Sequence, residues 1–378
     1  MKIVVAMDSF KGSLTSLAAG AAVREAILAV DDRADVSVFP LADGGEGTVE
    51  ALIFAMHGQK ITVTVTGPLG EPVTAAYGVI PESNTAVIEM AAAAGLPLVE
   101  FNRRDPLETT TFGVGELIRD ALSRGCRRFL LGLGGSATND GGIGMLAALG
   151  VKFLDDKNEP IPLCARGLER LATVDISGLL PEAAASTFRV ASDVTNPLCG
   201  HLGCSRVFGP QKGANEASIA RMDAALAHYA ALTRSVCPEA DPELPGAGAA
   251  GGSGFACRTF LHASLCPGVA IVMEENGMEA AVREADLVIT GEGKLDGQTA
   301  MGKAPAGVAA LAKKYGKPVI ALAGCLGDGA EALNEAGIDA FFPILRSVTT
   351  PDAAMDPENA RKNLFLTAGQ AFRLFRLS

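Results

Sequence analysis

KIVVAMDSFKGS, residues 2–13, is an apolar run that stops at an aspartate and passes through serine, lysine and glycine before a helical pattern begins. Strands buried on both faces of a parallel sheet read as near-continuous apolar runs, so residues 2–7 are expected as a strand and 15–30 as the helix that crosses back. A strand over 36–41 and a helix over 46–57 extend this to a parallel βαβα opening. The same event recurs four times: VSVFPLADGGEG (36–47) delivers Asp43, FLLGLGGSATNDGG (129–142) Asp140, FRVASDVTNP (188–197) Asp193 and LVITGEGKLDGQT (287–299) Asp296. Ligands of open α/β proteins bind outside the carboxyl ends of the strands, so acids and bare amides collected there describe a polyphosphate and metal site.

Outward from these loops the pattern changes once and then returns. Residues 60–90 alternate β-branched positions with Gly-Pro and Pro turns, which reads as antiparallel strands. A helix at 112–124, a strand at 128–133, a helix at 140–149, a strand near 187–193 and a long helix from 215 to about 236 follow. Residues 237–253, rich in proline and glycine, are expected as a mobile loop. From 269 the α/β rhythm resumes with strands at 286–290, 318–323 and 339–345 and helices at 305–314, 328–336 and 357–375. The expected architecture is α/β with two domains. Residues 1–58 and 270–378 form a doubly wound, Rossmann- or flavodoxin-like parallel domain, and 59–269 form an inserted mixed α/β domain. The strand at 128–133 fits either sheet.

Composition narrows the function. With 378 residues, 48% of them apolar, the chain can build two substantial cores. A formal net charge of -11 and the lack of any basic block exclude the phosphodiester attraction that nucleic-acid binding rests on. No apolar stretch approaches the ~20 residues of a membrane span, and residues 3–7 are too short for a signal-peptide core, so small-molecule substrates and a cytoplasmic location are expected. Eight cysteines without a CxxC pair fit reduced, mostly buried thiols.

Some motifs have plainer readings. GQTAMGKA (297–304) has the spacing of a phosphate-binding P-loop, but Ala304 replaces the Ser or Thr that would hold Mg²⁺, and Pro305 suits an ordinary helix start. GLGGSA (132–137), with Asp155 and Asp156 about 20 residues on, matches the dinucleotide fingerprint and makes an NAD-dependent dehydrogenase a competitor. The continuation TNDGGIG suits a longer anion cradle better. Cys199, His201 and Cys204 lack a fourth zinc ligand. Lys212 in FGPQKGA and Lys11 in SFKGS each precede a helix, where an anion contact and a plain surface charge are both open.

Taken together, DSFKGSLTS (8–16), PLADGGEGT (40–48), GLGGSATNDGG (132–142), DVTNPLCG (193–200), VFGPQKGA (207–214) and ITGEGKLDGQT (289–299), with GKAP (302–305), strongly resemble the type I glycerate kinase family from residue 1 to about 375. The departures are Ser253, where a larger apolar residue is expected, and Cys204, where a small one is usual. The resemblance implies ATP-dependent phosphorylation of D-glycerate, generally to 2-phosphoglycerate, and a cleft between two α/β domains that closes over the substrates. On that expectation Gly134, Gly135, Ser136 and Asn139 take the ATP phosphates with Lys212 neutralising them, and Asp193 orients or deprotonates the glycerate hydroxyl. Ser9 and Lys11 take the glycerate carboxylate, and Asp43 and Asp296 face Mg²⁺. Asp8 and Asp140 serve as well as loop organisers. A non-catalytic nucleotide sensor and a hydroxy-acid dehydrogenase are the alternative classes.

Overall fold

A computed structural model describes residues 1–42, 44–45, 47–300 and 302–377. Its strands, in chain order, are β1 (Lys2–Met7), β2 (Asp35–Val38), β3 (Gln59–Thr66), β4 (Pro72–Ile80), β5 (Thr85–Glu89), β6 (Arg128–Gly132), β7 (Lys152–Leu154), β8 (Thr173–Asp175), β9 (Thr187–Ala191), β10 (Ser264–Cys266), β11 (Leu287–Leu295), β12 (Val319–Leu326) and β13 (Ala340–Pro343). The chain divides into two compact units. Unit 1 comprises residues 1–43, 50–56 and 269–378, and unit 2 comprises 44–49 and 57–268.

Unit 1 is a five-stranded sheet in the order β13-β12-β11-β1-β2, parallel throughout. Ile3, Val5 and Met7 of β1 point into one core with Leu287, Ile289 and Leu322. The helices Ser16–Leu28 and Pro357–Phe375 cover that face with Val23, Ile27, Leu364 and Phe372. Val4, Ala6 and Val288 point the other way and are buried too, which is why these strands read as unbroken apolar runs. From β1 the chain steps to β2 on one side, whereas β11, β12 and β13 step away on the other. The order therefore reverses at the β1/β11 seam. β11 and β12 also run past the end of β1: Met7 pairs with Gly291, but the β11/β12 ladder continues through Lys294↔Cys325 to Leu295↔Leu326.

Unit 2 holds a six-stranded mixed sheet, β10-β9-β6-β5-β4-β3. β5, β6, β9 and β10 are parallel neighbours, while β3, β4 and β5 form the antiparallel ladders that the alternation over 60–90 indicates, with β5 also pairing in parallel with β6. Phe129 of β6 and Phe188 of β9 face each other across the ladder with ring centroids 4.7 Å apart. Such a pair adds about 1 kcal/mol beyond its buried area. The long helix Glu216–Val236 starts at a capping box, in which Asn215 Oδ1 accepts from Ser218 N and Ser218 Oγ accepts from Asn215 N. β7 and β8 form a separate two-stranded ladder.

The expected loop over 237–253 is where the structure departs from the sequence reading. Its last part belongs to the helix Ala249–Leu261, into which Ala250, Gly251 and Gly252 bring three successive left-handed residues (φ 50, 66 and 96°). These residues lie against the 138–141 backbone. Gly251 O accepts from Gly141 N, and a Cβ on Gly251 would stand 2.2 Å from Thr138 O. Ser253, the departure from the family pattern, donates to Ala250 O inside this turn.

Candidate active site

Two loop clusters gather the motif residues, one in each unit. In unit 2 the loops after β5, β6 and β9 meet. Gly132 and Gly134 are packed so closely on the segment at 44–45 that a Cβ would lie 2.1 Å from Gly44 O and 2.8 Å from Gly45 Cα respectively. Their bareness serves backbone packing. Gly135 O accepts from Leu96 N, and Ala137 N donates to Ala94 O, tying the same loop to residues 94–96. Glu89, at the end of β5, accepts from Val49 N at 2.8 Å.

Beneath this loop lies a buried polar group. Lys212 is 3% exposed and donates to Ser136 Oγ at 3.0 Å and Thr138 O at 2.6 Å. Burial pulls its pKa down from 10.5 to about 8, against the opposing pull of Cys204 and Asp140. Two of its three ammonium hydrogens are placed by these bonds. Asn139 Nδ2 donates to Ser205 Oγ at 2.8 Å, which leaves Asn139 Oδ1, with Thr138 Oγ1, buried and unpartnered. Native folds rarely leave such atoms orphaned, and a bound ligand is one explanation.

Asp140 is fully enclosed and accepts from Thr111 N, Thr111 Oγ1, Gly142 N and Gly144 N at 2.7–3.3 Å. Burial pushes its pKa up while these four donors pull against it. All its contacts organise the loop. Asp193 is exposed beyond the end of β9, and its Oδ1 accepts from Gly268 N at 3.0 Å.

In unit 1 the segments after β1, β11 and β13, with the last residues of β11 and β12, line a cavity of about 400 Å³. Ser9 and Lys11 line it, and Ser9 N donates to Asp8 Oδ1 at 2.6 Å. Glu292 also faces the cavity, and the sequence reading passes over it. It accepts from Thr299 Oγ1 at 2.5 Å, and burial raises its pKa while Thr299, Lys303 and Lys11 work to lower it. The only sequence signal for it is an acid inside the glycine-flanked GEG of a strand's carboxyl end.

Asp296 has its Oδ1 taken by Gln298 N and Thr299 N and its Oδ2 3.2 Å from Lys294 Nζ. Metal-ligating carboxylates are commonly hydrogen-bonded themselves, so these bonds fix the orientation of the acid. Asp43 lies outside the described residues. Among the described residues no group of three or more His, Cys, Asp or Glu is placed to hold a metal ion, Cys199, His201 and Cys204 included.

The competing motif readings lose their structural context. A dinucleotide fingerprint needs its glycines to open a helix directly, but after GLGGSA the next helix, Ile143–Ala148, starts six residues later and has only six residues. In GQTAMGKA, residues 297–300 are already helical and Lys303 is the N-cap of Ala304–Lys314, with Pro305 in its first turn. A P-loop, by contrast, wraps its phosphate before its helix begins.

Comparison with known proteins agrees with the motif order. The family model for the glycerate kinase family matches residues 3–376. Glycerate 2-kinase of Escherichia coli K12 is 48% identical over 354 residues, covering 94% of this chain and 93% of that protein. A glycerate kinase of Halalkalibacterium halodurans is 46% identical over 367 residues, 96% and 97% of the two chains. A crystal structure of a candidate glycerate kinase 2 from Salmonella typhimurium LT2 superposes with a TM-score of 0.91 at 46% identity, over 100% of this chain and 98% of that one. With the whole chain matched in sequence and in fold, the protein belongs to the glycerate kinase family.

Proposed function

We propose that the chain phosphorylates D-glycerate with ATP, at the 2-hydroxyl, giving 2-phospho-D-glycerate and ADP. The observation that carries this reading is the 48% identity, over nearly the full length of both chains, to a relative named glycerate 2-kinase. Phosphoryl transfer asks a protein for positioning, charge neutralisation and an acceptor for the hydroxyl proton. Lys212, fixed by Ser136 and Thr138, supplies a desolvated cation that holds an oxyanion of the reactants. Asn139 Oδ1 lacks a donor, which a substrate hydroxyl has and an ionised phosphate lacks. Asp193, the exposed acid beyond β9, takes the hydroxyl proton as the bond to phosphorus forms. Mg²⁺ would neutralise charge on the transferring phosphates, and Asp43 and Asp296 are the acids that would hold it, directly or through water.

The test is a coupled ADP-release assay with D-glycerate, L-glycerate, glycerol and lactate. D-glycerate is expected to be turned over best and glycerol, which lacks the carboxylate, least. ADP release that ignores the acid, or a nicotinamide absorbance change in place of ADP, would remove this reading.

A further inference from the structure

The unit 1 cavity has no need to be its present size or character if its ligand is a three-carbon acid. Its volume of about 400 Å³ lies in the range that holds drug-sized ligands. One side is apolar. Phe10 and Ile344 are buried in its wall, and Leu345 and Met355 remain substantially exposed. Glycerate offers nothing to cover that surface. Asn363, on the helix Pro357–Phe375, faces the same space and makes no side-chain hydrogen bond among the described residues. An amide can serve both a donor and an acceptor on a base edge, as asparagine does with adenine.

Charged residues complete the lining. Lys11, Lys294 and Lys303 take part in it together with Asp8 and Glu292, and Asp296 is paired to Lys294. The eleven-residue helix Ala304–Lys314 starts at this wall, and its N-cap Lys303 provides no side-chain cap, so its first amides are available to an anion. The cavity also sits at the β1/β11 seam, where the strand order reverses and open α/β sheets bind ligands.

We propose that this cavity is the nucleotide site of the enzyme. The base lies against Phe10, Ile344 and Met355 with its edge toward Asn363, and the phosphates lie on Lys11, Lys303 and the start of the helix Ala304–Lys314. This rests on the kinase reading and deepens it. It moves Ser9 and Lys11 from the glycerate carboxylate to the nucleotide, and it leaves the Lys212 cluster to the hydroxy acid.

Cys325, on the cavity wall, is the exposed cysteine; five of the other seven are buried and two half-buried. The experiment is the rate at which N-ethylmaleimide modifies Cys325 in the intact protein, followed by peptide mass spectrometry, alongside calorimetric titration of ADP. ADP needs no glycerate and permits no turnover. At about ten times its Kd it should slow labelling by about tenfold, whereas glycerate alone should leave the rate unchanged. Calorimetric binding of ADP without protection of Cys325 would overturn the placement while sparing the kinase reading; no binding of ADP at all would overturn both. As a second arm, Cys325→Trp should raise KM for ATP by about tenfold or more and keep KM for glycerate within about twofold. The reverse split would overturn the placement.

Discussion

The two loop clusters are built from the same materials, glycines, an acid and a lysine at the carboxyl ends of parallel strands, and they differ in how far their charged residues are enclosed. In unit 2 the 132–142 loop is pressed against neighbouring backbone, with Asp140 fully enclosed and Lys212 almost so. In unit 1 a Cβ on Gly324 would likewise stand 2.4 Å from Gly293 O, yet the cluster lines a cavity and Lys11, Lys294 and Lys303 remain exposed. Glycine-rich acidic loops thus do not by themselves mark a cradle. Backbone packing and ligand space leave the same trace in sequence.

The difference should be measurable. The largest effect is expected at Asp140, where Asp140→Ala strands four buried donors; urea unfolding should show a loss of about 3–5 kcal/mol. A loss below about 1 kcal/mol would mean the loop holds itself without the acid. Next is Asp193→Asn, which should lower turnover by about a hundredfold or more while thermal unfolding stays unchanged, because the residue is exposed. Wild-type turnover in that variant would remove the proton-acceptor role.

Lys212→Met should affect both stability and function. It strands Ser136 Oγ and Thr138 O, so unfolding should cost about 1–3 kcal/mol less, and kcat/KM should fall by about tenfold or more. The pH dependence follows from the same burial. The folded state holds the Lys212 proton less tightly than the unfolded state does, about 8 against 10.5, so stability should rise with pH between those values while activity falls above about 8. In Lys212→Met both trends should flatten. The smallest effect on stability is expected in unit 1. Lys11→Ala should change unfolding by less than about 0.5 kcal/mol while raising KM for ATP, and a large stability loss would show that unit 1 also uses its lysines for structure.

Much of this is legible without coordinates. Ile3–Met7 and Leu287–Thr290 announce a parallel sheet because strands buried on both faces have no polar side. The final helix announces itself through Pro357 after the capping Asp356. The left-handed run Ala250–Gly252 is not legible, since it exists to fit the Thr138 and Asn139 backbone, a contact more than a hundred residues away in sequence. The same holds for the site. Motif order locates the loops, but Glu292 acquires meaning only from Thr299 beside it, and Phe10, Cys325, Met355 and Asn363 line one cavity only because the fold brings the loop after β1, strand β12 and the helices Pro351–Met355 and Pro357–Phe375 together.

The phosphorus NMR spectrum of a reaction containing the chain, D-glycerate and MgATP puts the central reading to the most direct trial. A phosphate on the 2-position couples to a single carbon-bound proton, so transfer to the 2-hydroxyl requires a new doublet to grow as the γ-phosphate signal disappears. A triplet would place the phosphate on the 3-position, and an unchanged γ-phosphate signal would contradict the kinase assignment itself.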